Sequence, residues 1–211
     1  MINLAVKHTR VRLMQRNEDI YDSYINANFI NTSASRNDQL FIAAQGPLLK
    51  TTENFWRMCQ QEHVNLIVML TATKEHGKQK CDHYWPMEVE DVVEFDDTYV
   101  RLVSVESIMP NLIKRKLLLG EEQREITHVQ YLTWPDHGAP EEQDFAIIAV
   151  ILQMMEEFHK RDGPSNKIVL HCSAGIGRTG SLIAIYNLQL TAKTLQSYLN
   201  KCKFLQISTF V

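Results

Sequence analysis

Long apolar runs are missing from this sequence. The longest, Phe145 to Leu152, holds eight residues, far short of the ~20 needed to span a bilayer. The opening Met1-Ile2-Asn3-Leu4-Ala5-Val6-Lys7 lacks the apolar core of a signal peptide. No membrane insertion by this chain is expected, and a soluble cytoplasmic location follows as the expectation. Neither sign of charge dominates: 22 Lys and Arg stand against 25 Asp and Glu, a net charge of −3. The uniform basic field of a general nucleic-acid binder is therefore absent, and no nucleic-acid partner is expected. Cysteine is scarce, with four residues widely separated and no C-x-x-C pair, so a zinc site has little support and no metal is expected. A disulfide framework would need a secreted context. Cys59, Cys81 and Cys202 read as reduced, small apolar residues, and Cys172 is treated separately. Internal repeats, low-complexity tracts and linkers rich in Pro, Gly and Ser are also missing. Residues 1–211 are thus read as one domain with a single substantial core.

Segments of helical and strand period alternate along the chain. Thr52 to His63 places Phe55, Met58 and Cys59 at helical spacing after candidate caps Thr51 and Thr52. Val64 to Leu70 is a short apolar run that reads as a buried strand. Tyr99 to Val105 and Glu125 to Thr133 look like strands of mixed character, suited to a partly antiparallel sheet. Glu141 to Lys160 is the clearest helix, with Phe145, Ile148, Leu152 and Met155 as its inner face and acids at its start. Lys167 to Leu170 forms a strand, and Ser181 to Leu190 reads as a largely buried helix. The expected class is α/β: a mixed central β-sheet flanked by helices.

Between that strand and that helix lies His171-Cys172-Ser173-Ala174-Gly175-Ile176-Gly177-Arg178-Thr179-Gly180. Gly175 and Gly177 permit positive φ and close backbone approach. Successive N–H groups in such a turn form an anion nest at the start of the following helix. A thiol at the loop's entrance sits in that positive field. Arg178 offers a planar fork able to hold two oxygens of a phosphoryl group. The C-x5-R spacing alone is weak evidence, and a buried cysteine beside a glycine turn with a surface arginine is the bland reading. The Walker pattern is excluded because its lysine is absent.

The same ten residues resemble the active-site signature of the classical protein tyrosine phosphatases. Asp22-Ser23-Tyr24-Ile25-Asn26-Ala27-Asn28-Phe29-Ile30, Ala44-Gln45-Gly46-Pro47-Leu48, Lys80-Cys81-Asp82-His83-Tyr84-Trp85-Pro86 and Trp134-Pro135-Asp136-His137-Gly138 resemble further family segments, in the family's order. The match runs from about Lys7 to about Leu190.

The resemblance implies a phosphatase acting on phosphotyrosine-containing proteins without metal or other cofactor. It implies Cys172 as the nucleophile that forms a cysteinyl-phosphate. Arg178 and the loop amides of Ser173, Ala174, Gly175, Ile176 and Gly177 would bind the dianion. His171 would position Cys172, a role compatible with an ordinary core histidine. Thr179 could hydrogen-bond the sulfur as it leaves. Asp136 would be the general acid, on a mobile loop hinged near Trp134. Locally, Asp136 also fits a plain Pro-Asp-x-Gly turn, and His137 is its nearby rival. Glu75 and Lys80 match a loop beside the active site, and Glu75 is expected to pair with Arg178; a solvated charge pair is the alternative.

Two segments depart from the family. No Asn-Arg-Tyr element precedes Lys7, and no glutamine-bearing loop is recognisable after Gly180. The tail at about 191–211 reads as divergent or truncated. The implied consequence is that phosphoenzyme formation is provided for, whereas the family's elements for orienting the hydrolytic water and setting pocket depth are not recognised in the sequence. A catalytically weak phosphotyrosine-binding pseudophosphatase module is the alternative reading.

Overall fold

The computed structural model describes residues 5–19, 21–32, 40–136, 138–162 and 166–208, with side chains as far as residue 197. His137 and Cys202's side chain lie outside the described set.

The apolar segments Phe41–Ala44 (β3), Val64–Met69 (β4) and Lys167–His171 (β11) are buried almost throughout. Strands covered on both faces are the ones that read as unbroken hydrophobic runs, and here they form the parallel centre of the sheet. β11 lies between β3 and β4 and is parallel to both. Arg124–Tyr131 (β10) continues the parallel block beyond β4. Antiparallel strands complete both flanks: Arg10–Arg12 (β1) and Tyr24–Ile30 (β2) on one side, Leu112–Leu119 (β9), Thr98–Met109 (β8) and Val92–Phe95 (β7) on the other. The nine strands run in the order β1-β2-β3-β11-β4-β10-β9-β8-β7. Lys74–Glu75 (β5) and Lys78–Gln79 (β6) form a separate small hairpin.

The four parallel strands share a direction, so the segments that follow them leave the sheet at one edge. These are residues 45–48, 70–80, 132–141 and 172–177, the segments singled out in the sequence. Ligand sites in open α/β sheets form at that edge.

Helices cover both faces. Thr52–Gln61 (α1) buries Phe55, Trp56, Met58 and Cys59 against one face. Phe145–Asp162 (α2) and the start of Gly177–Ser208 (α3) cover the other.

Four expectations change. Neither Thr51 nor Thr52 caps α1, because a 3-10 turn over Leu49–Thr51 leads into it, and the Thr51 hydroxyl instead accepts the Leu48 N–H at 2.9 Å. α2 starts at Phe145 after a second 3-10 turn, Glu142–Asp144, and Phe145 is 57% exposed. It is the helix's first residue, at the edge of a stripe made by Ile147, Ile148, Ile151, Leu152 and Met155. α3 is longer and less buried than its apolar sequence suggests: Leu182, Ile183 and Tyr186 face the core, while Leu188 is exposed. β10 ends at Tyr131 because the Leu132 N–H turns to the Asn111 carbonyl at 3.0 Å.

Leu170 is fully buried in the central strand. Leu170→Ala is expected to lower stability by about 2–5 kcal/mol. The check is a urea midpoint that falls at unchanged m-value.

Candidate active site

His171 ends β11 and Cys172 begins the loop into α3. The loop's path depends on Gly175, which adopts φ +74°. A Cβ there would lie 2.2 Å from the Ala44 carbonyl oxygen, so only glycine fits against the neighbouring strand. Gly46 makes the matching approach from below. A Cβ on it would meet the Cys172 carbonyl at 2.4 Å, and its N–H donates to the Ser173 carbonyl at 3.0 Å. Gly177, expected to use positive φ as well, does not: it is the first residue of α3, with open space where a Cβ would be. No backbone N–H from Ser173 to Gly177 donates to a backbone acceptor among the described residues. These are the donors an oxyanion would need.

Arg178 is buried, in the first turn of α3. Its Nη1 donates to Glu75 Oε1 at 2.6 Å and to the Trp134 carbonyl at 3.0 Å, and Nη2 reaches Glu75 Oε2 at 3.4 Å. Glu75 comes from the β5–β6 hairpin and Trp134 from the segment after β10, so one guanidinium ties three loops together. Asp136 stands next to this group, Oδ1 3.7 Å from Arg178 Nη2, with its other oxygen paired to Lys80. Lys80 also lies 3.9 Å from Glu75. The Asp136 loop is held at its root, where the Trp134 indole N–H donates to the Gly138 carbonyl at 3.1 Å. Behind it, buried Asp144 accepts the Tyr131 and Thr133 hydroxyls at 2.7 and 2.9 Å. Read in the sequence as one of the acids at a helix start, Asp144 is instead a strut beneath this loop.

These groups surround a cleft of about 700 Å³ lined by Lys80, Trp134, Asp136, Gly138, Cys172, Ser173, Ala174, Ile176, Gly177, Arg178 and Ser181. Gly175, expected among the phosphate-binding residues, shapes the loop from outside this lining. Cys172 is 3% exposed. The buried Thr179 hydroxyl has no hydrogen-bond partner among the described residues.

His171 is fully buried. Its Nδ1 meets the Cys172 carbonyl at 3.1 Å and its Nε2 the Tyr84 hydroxyl at 2.7 Å, and Tyr84 also reaches His128 Nε2 at 2.8 Å. Burial lowers the His171 pKa to about 4 and pushes that of His128 well below the ordinary imidazole value. Tyr84 sits in the Lys80–Pro86 segment, but nothing in the sequence pairs it with His128, 44 residues away.

The unfolded chain binds protons at these imidazoles below about 6.5, whereas the folded chain does so only at lower pH. Stability is therefore greatest above 6.5 and is lost as pH falls toward 4. Each such imidazole contributes a slope of about 1.4 kcal/mol per pH unit within that window. Urea unfolding at pH 6 and pH 5 should show this loss, shallower in His171→Gln than in the unsubstituted protein. Equal stability at the two pH values would contradict it.

The protein-tyrosine phosphatase family model matches residues 3–208. Tyrosine-protein phosphatase 69D of Drosophila melanogaster is 41% identical over 193 residues, covering 87% of this chain and 13% of that protein. Tyrosine-protein phosphatase 2 of Dictyostelium discoideum is 40% identical over 184 residues, covering 83% of this chain and 43% of that one. The chain thus spans less than half the length of these relatives. Among solved structures, the catalytic domain of human protein tyrosine phosphatase non-receptor type 18 is similar with TM-score 0.79 and 29% identity, over 90% of this chain and 66% of that one. On this fold, this cleft and these matches, the chain belongs to the protein-tyrosine phosphatase family.

Proposed function

We propose that the chain hydrolyses phosphotyrosine in proteins through a cysteinyl-phosphate intermediate. The observation that carries this reading is the loop from Cys172 to Arg178, whose Ser173–Gly177 amides have no backbone acceptor among the described residues, beside a guanidinium braced by Glu75. Tetrahedral dianions fit such a cradle. Solved complexes of PTPN18 with HER2 phosphopeptides give the substrate class a precedent in a structural relative.

In the first step the Cys172 sulfur attacks phosphorus and the bond from phosphorus to the phenolic oxygen breaks. Asp136, protonated, gives its proton to that oxygen, and tyrosine leaves. Asp136 is tied to Lys80 in this structure, so the step begins with exchange of that pair for the substrate oxygen. In the second step water attacks phosphorus, the S–P bond breaks and the Asp136 carboxylate takes the water's proton. Thr179, whose buried hydroxyl has no hydrogen-bond partner among the described residues, would donate to the departing sulfur. Splitting the transfer in two is the advantage of covalent catalysis. Trp134 anchors Arg178 through its carbonyl, and Glu75 and Lys80 hold the carboxylate and guanidinium in register.

Residues 1–211 are read as one catalytic domain, with the tail at 191–211 continuing α3 as far as Ser208. Among the described residues no helix is long and apolar enough to cross a membrane. A reducing, cytoplasmic setting fits the free thiols of Cys59, Cys81 and Cys172, and a role in phosphotyrosine signalling follows from the proposed substrate.

Asp136→Ala is expected to lower kcat on an aryl phosphate by about 10²–10⁴ while orthovanadate still binds. Cys172→Ser should abolish phosphate release. Rapid-quench kinetics with the unsubstituted chain should show a burst of phenol followed by slower turnover. Binding of phosphotyrosine with no burst would instead select the pseudophosphatase module, and turnover unchanged by Asp136→Ala would remove Asp136 from the acid role.

A further inference from the structure

Arg115 faces His128 across the β9–β10 pair. It is buried, its guanidinium 4.5 Å from the centre of the Trp85 ring. Both hydrogen-bond partners of its Nη1 are uncharged: His128 Nδ1 at 3.3 Å and Gln130 Oε1 at 3.1 Å. Burial lowers its pKa, yet a guanidinium stays protonated in proteins. A buried cation among neutral groups costs stability, which marks the position as one where the charge has work beyond packing.

Two hydrogen-bonded arms leave Arg115. In the first, a carbonyl that only accepts stands at one end and a guanidinium that only donates stands at the other. With both imidazoles neutral, those ends leave one arrangement of protons. The Cys172 carbonyl takes the Nδ1–H of His171, so His171 Nε2 is bare and accepts the Tyr84 hydroxyl proton. The Tyr84 oxygen then accepts from His128 Nε2–H, and the bare His128 Nδ1 takes the Arg115 N–H. In the second arm Gln130 Oε1 accepts from Arg115 and its amide nitrogen donates to the Thr71 carbonyl at 3.1 Å. The Thr71 hydroxyl donates at 2.6 Å to Glu75 Oε1, the oxygen that also takes Arg178 Nη1.

We propose that Arg115 is a positioning residue for both halves of the cleft: one buried guanidinium orients the relay that ends on the Cys172 carbonyl and the chain that ends on the Glu75–Arg178 brace. Its consequence for turnover rests on the phosphatase reading, whereas the proton arrangement rests on the hydrogen-bond geometry and on both buried imidazoles being neutral.

Two-bond ¹H–¹⁵N NMR on the full chain at pH 7 should find His171 protonated at Nδ1 and His128 at Nε2. The opposite tautomer on either ring overturns the relay, and this readout needs no turnover. Arg115→Met should shift the His171 ring nitrogens and weaken orthovanadate binding about tenfold or more. His128→Phe should shift the ring nitrogens alone, and Gln130→Met should weaken vanadate binding alone. If Arg115→Met does not fold, the two single-arm variants decide, because a merely structural role would move both readouts together in each. Arg115→Met leaving both readouts unchanged, or both moving in a single-arm variant, overturns the proposal. An unsubstituted chain that neither binds vanadate nor releases phosphate counts against the phosphatase reading, and the ring-nitrogen result still decides the role of Arg115.

Discussion

A guanidinium taken out of water needs a counter-charge, and Glu75 supplies one to Arg178 from 103 residues away in the chain. Breaking a pair of this kind leaves an uncompensated buried charge, a loss of roughly 3–5 kcal/mol. The pair does more than neutralise. Arg178 also holds the Trp134 carbonyl, and Glu75 also holds the Thr71 hydroxyl. The segments after β4, β10 and β11 are therefore fixed to one another at the edge of the sheet, and the cleft has the shape that this fixing gives it. Asp136 and Lys80 sit at its rim as a second, more exposed pair. The buried pair sets the frame; the exposed pair can exchange partners at less cost.

Beneath that frame the loop backbone is shaped by close contact. Gly175 and Gly46 each occupy a place where a side chain would strike a carbonyl oxygen. The loop therefore lies tightly against β3, and the amides of Ser173–Gly177 have no backbone acceptor among the described residues. Interaction with a dianion then requires little rearrangement, because the donors are already uncommitted.

Much of this was legible in the sequence, for physical reasons that differ from residue to residue. Cys172, Arg178 and the intervening glycines lie within seven positions, so local chain geometry brings them together. The apolar runs of β4 and β11 announce strands buried on both faces. The Glu75–Arg178 pairing came from the family resemblance rather than from local pattern. What could not be read depends on tertiary contact. Phe145 and Leu188 are apolar residues on helices whose neighbours cover a different stripe. Thr51 looks like a cap until a 3-10 turn claims its hydroxyl. Arg115 lies in Leu112–Leu119, a stretch with no clean alternation; the register of the β9–β10 pair sets His128 opposite it and Gln130 two residues further along β10, opposite Ile113. No spacing along one strand reveals a relay that runs across three.

The position of β11 carries a consequence for how the molecule assembles. It enters between β3 and β4, strands that precede it by about a hundred residues or more, and parallel pairings of such separation must overcome a large loop-closure entropy. Until β11 is inserted, β3 and β4 present open, apolar edges of the kind that pair with other chains. Nascent chain leaving the ribosome thus carries most of the sheet before it carries the strand that seals it, and the interval between the two is the period in which this polypeptide is most exposed to misassembly.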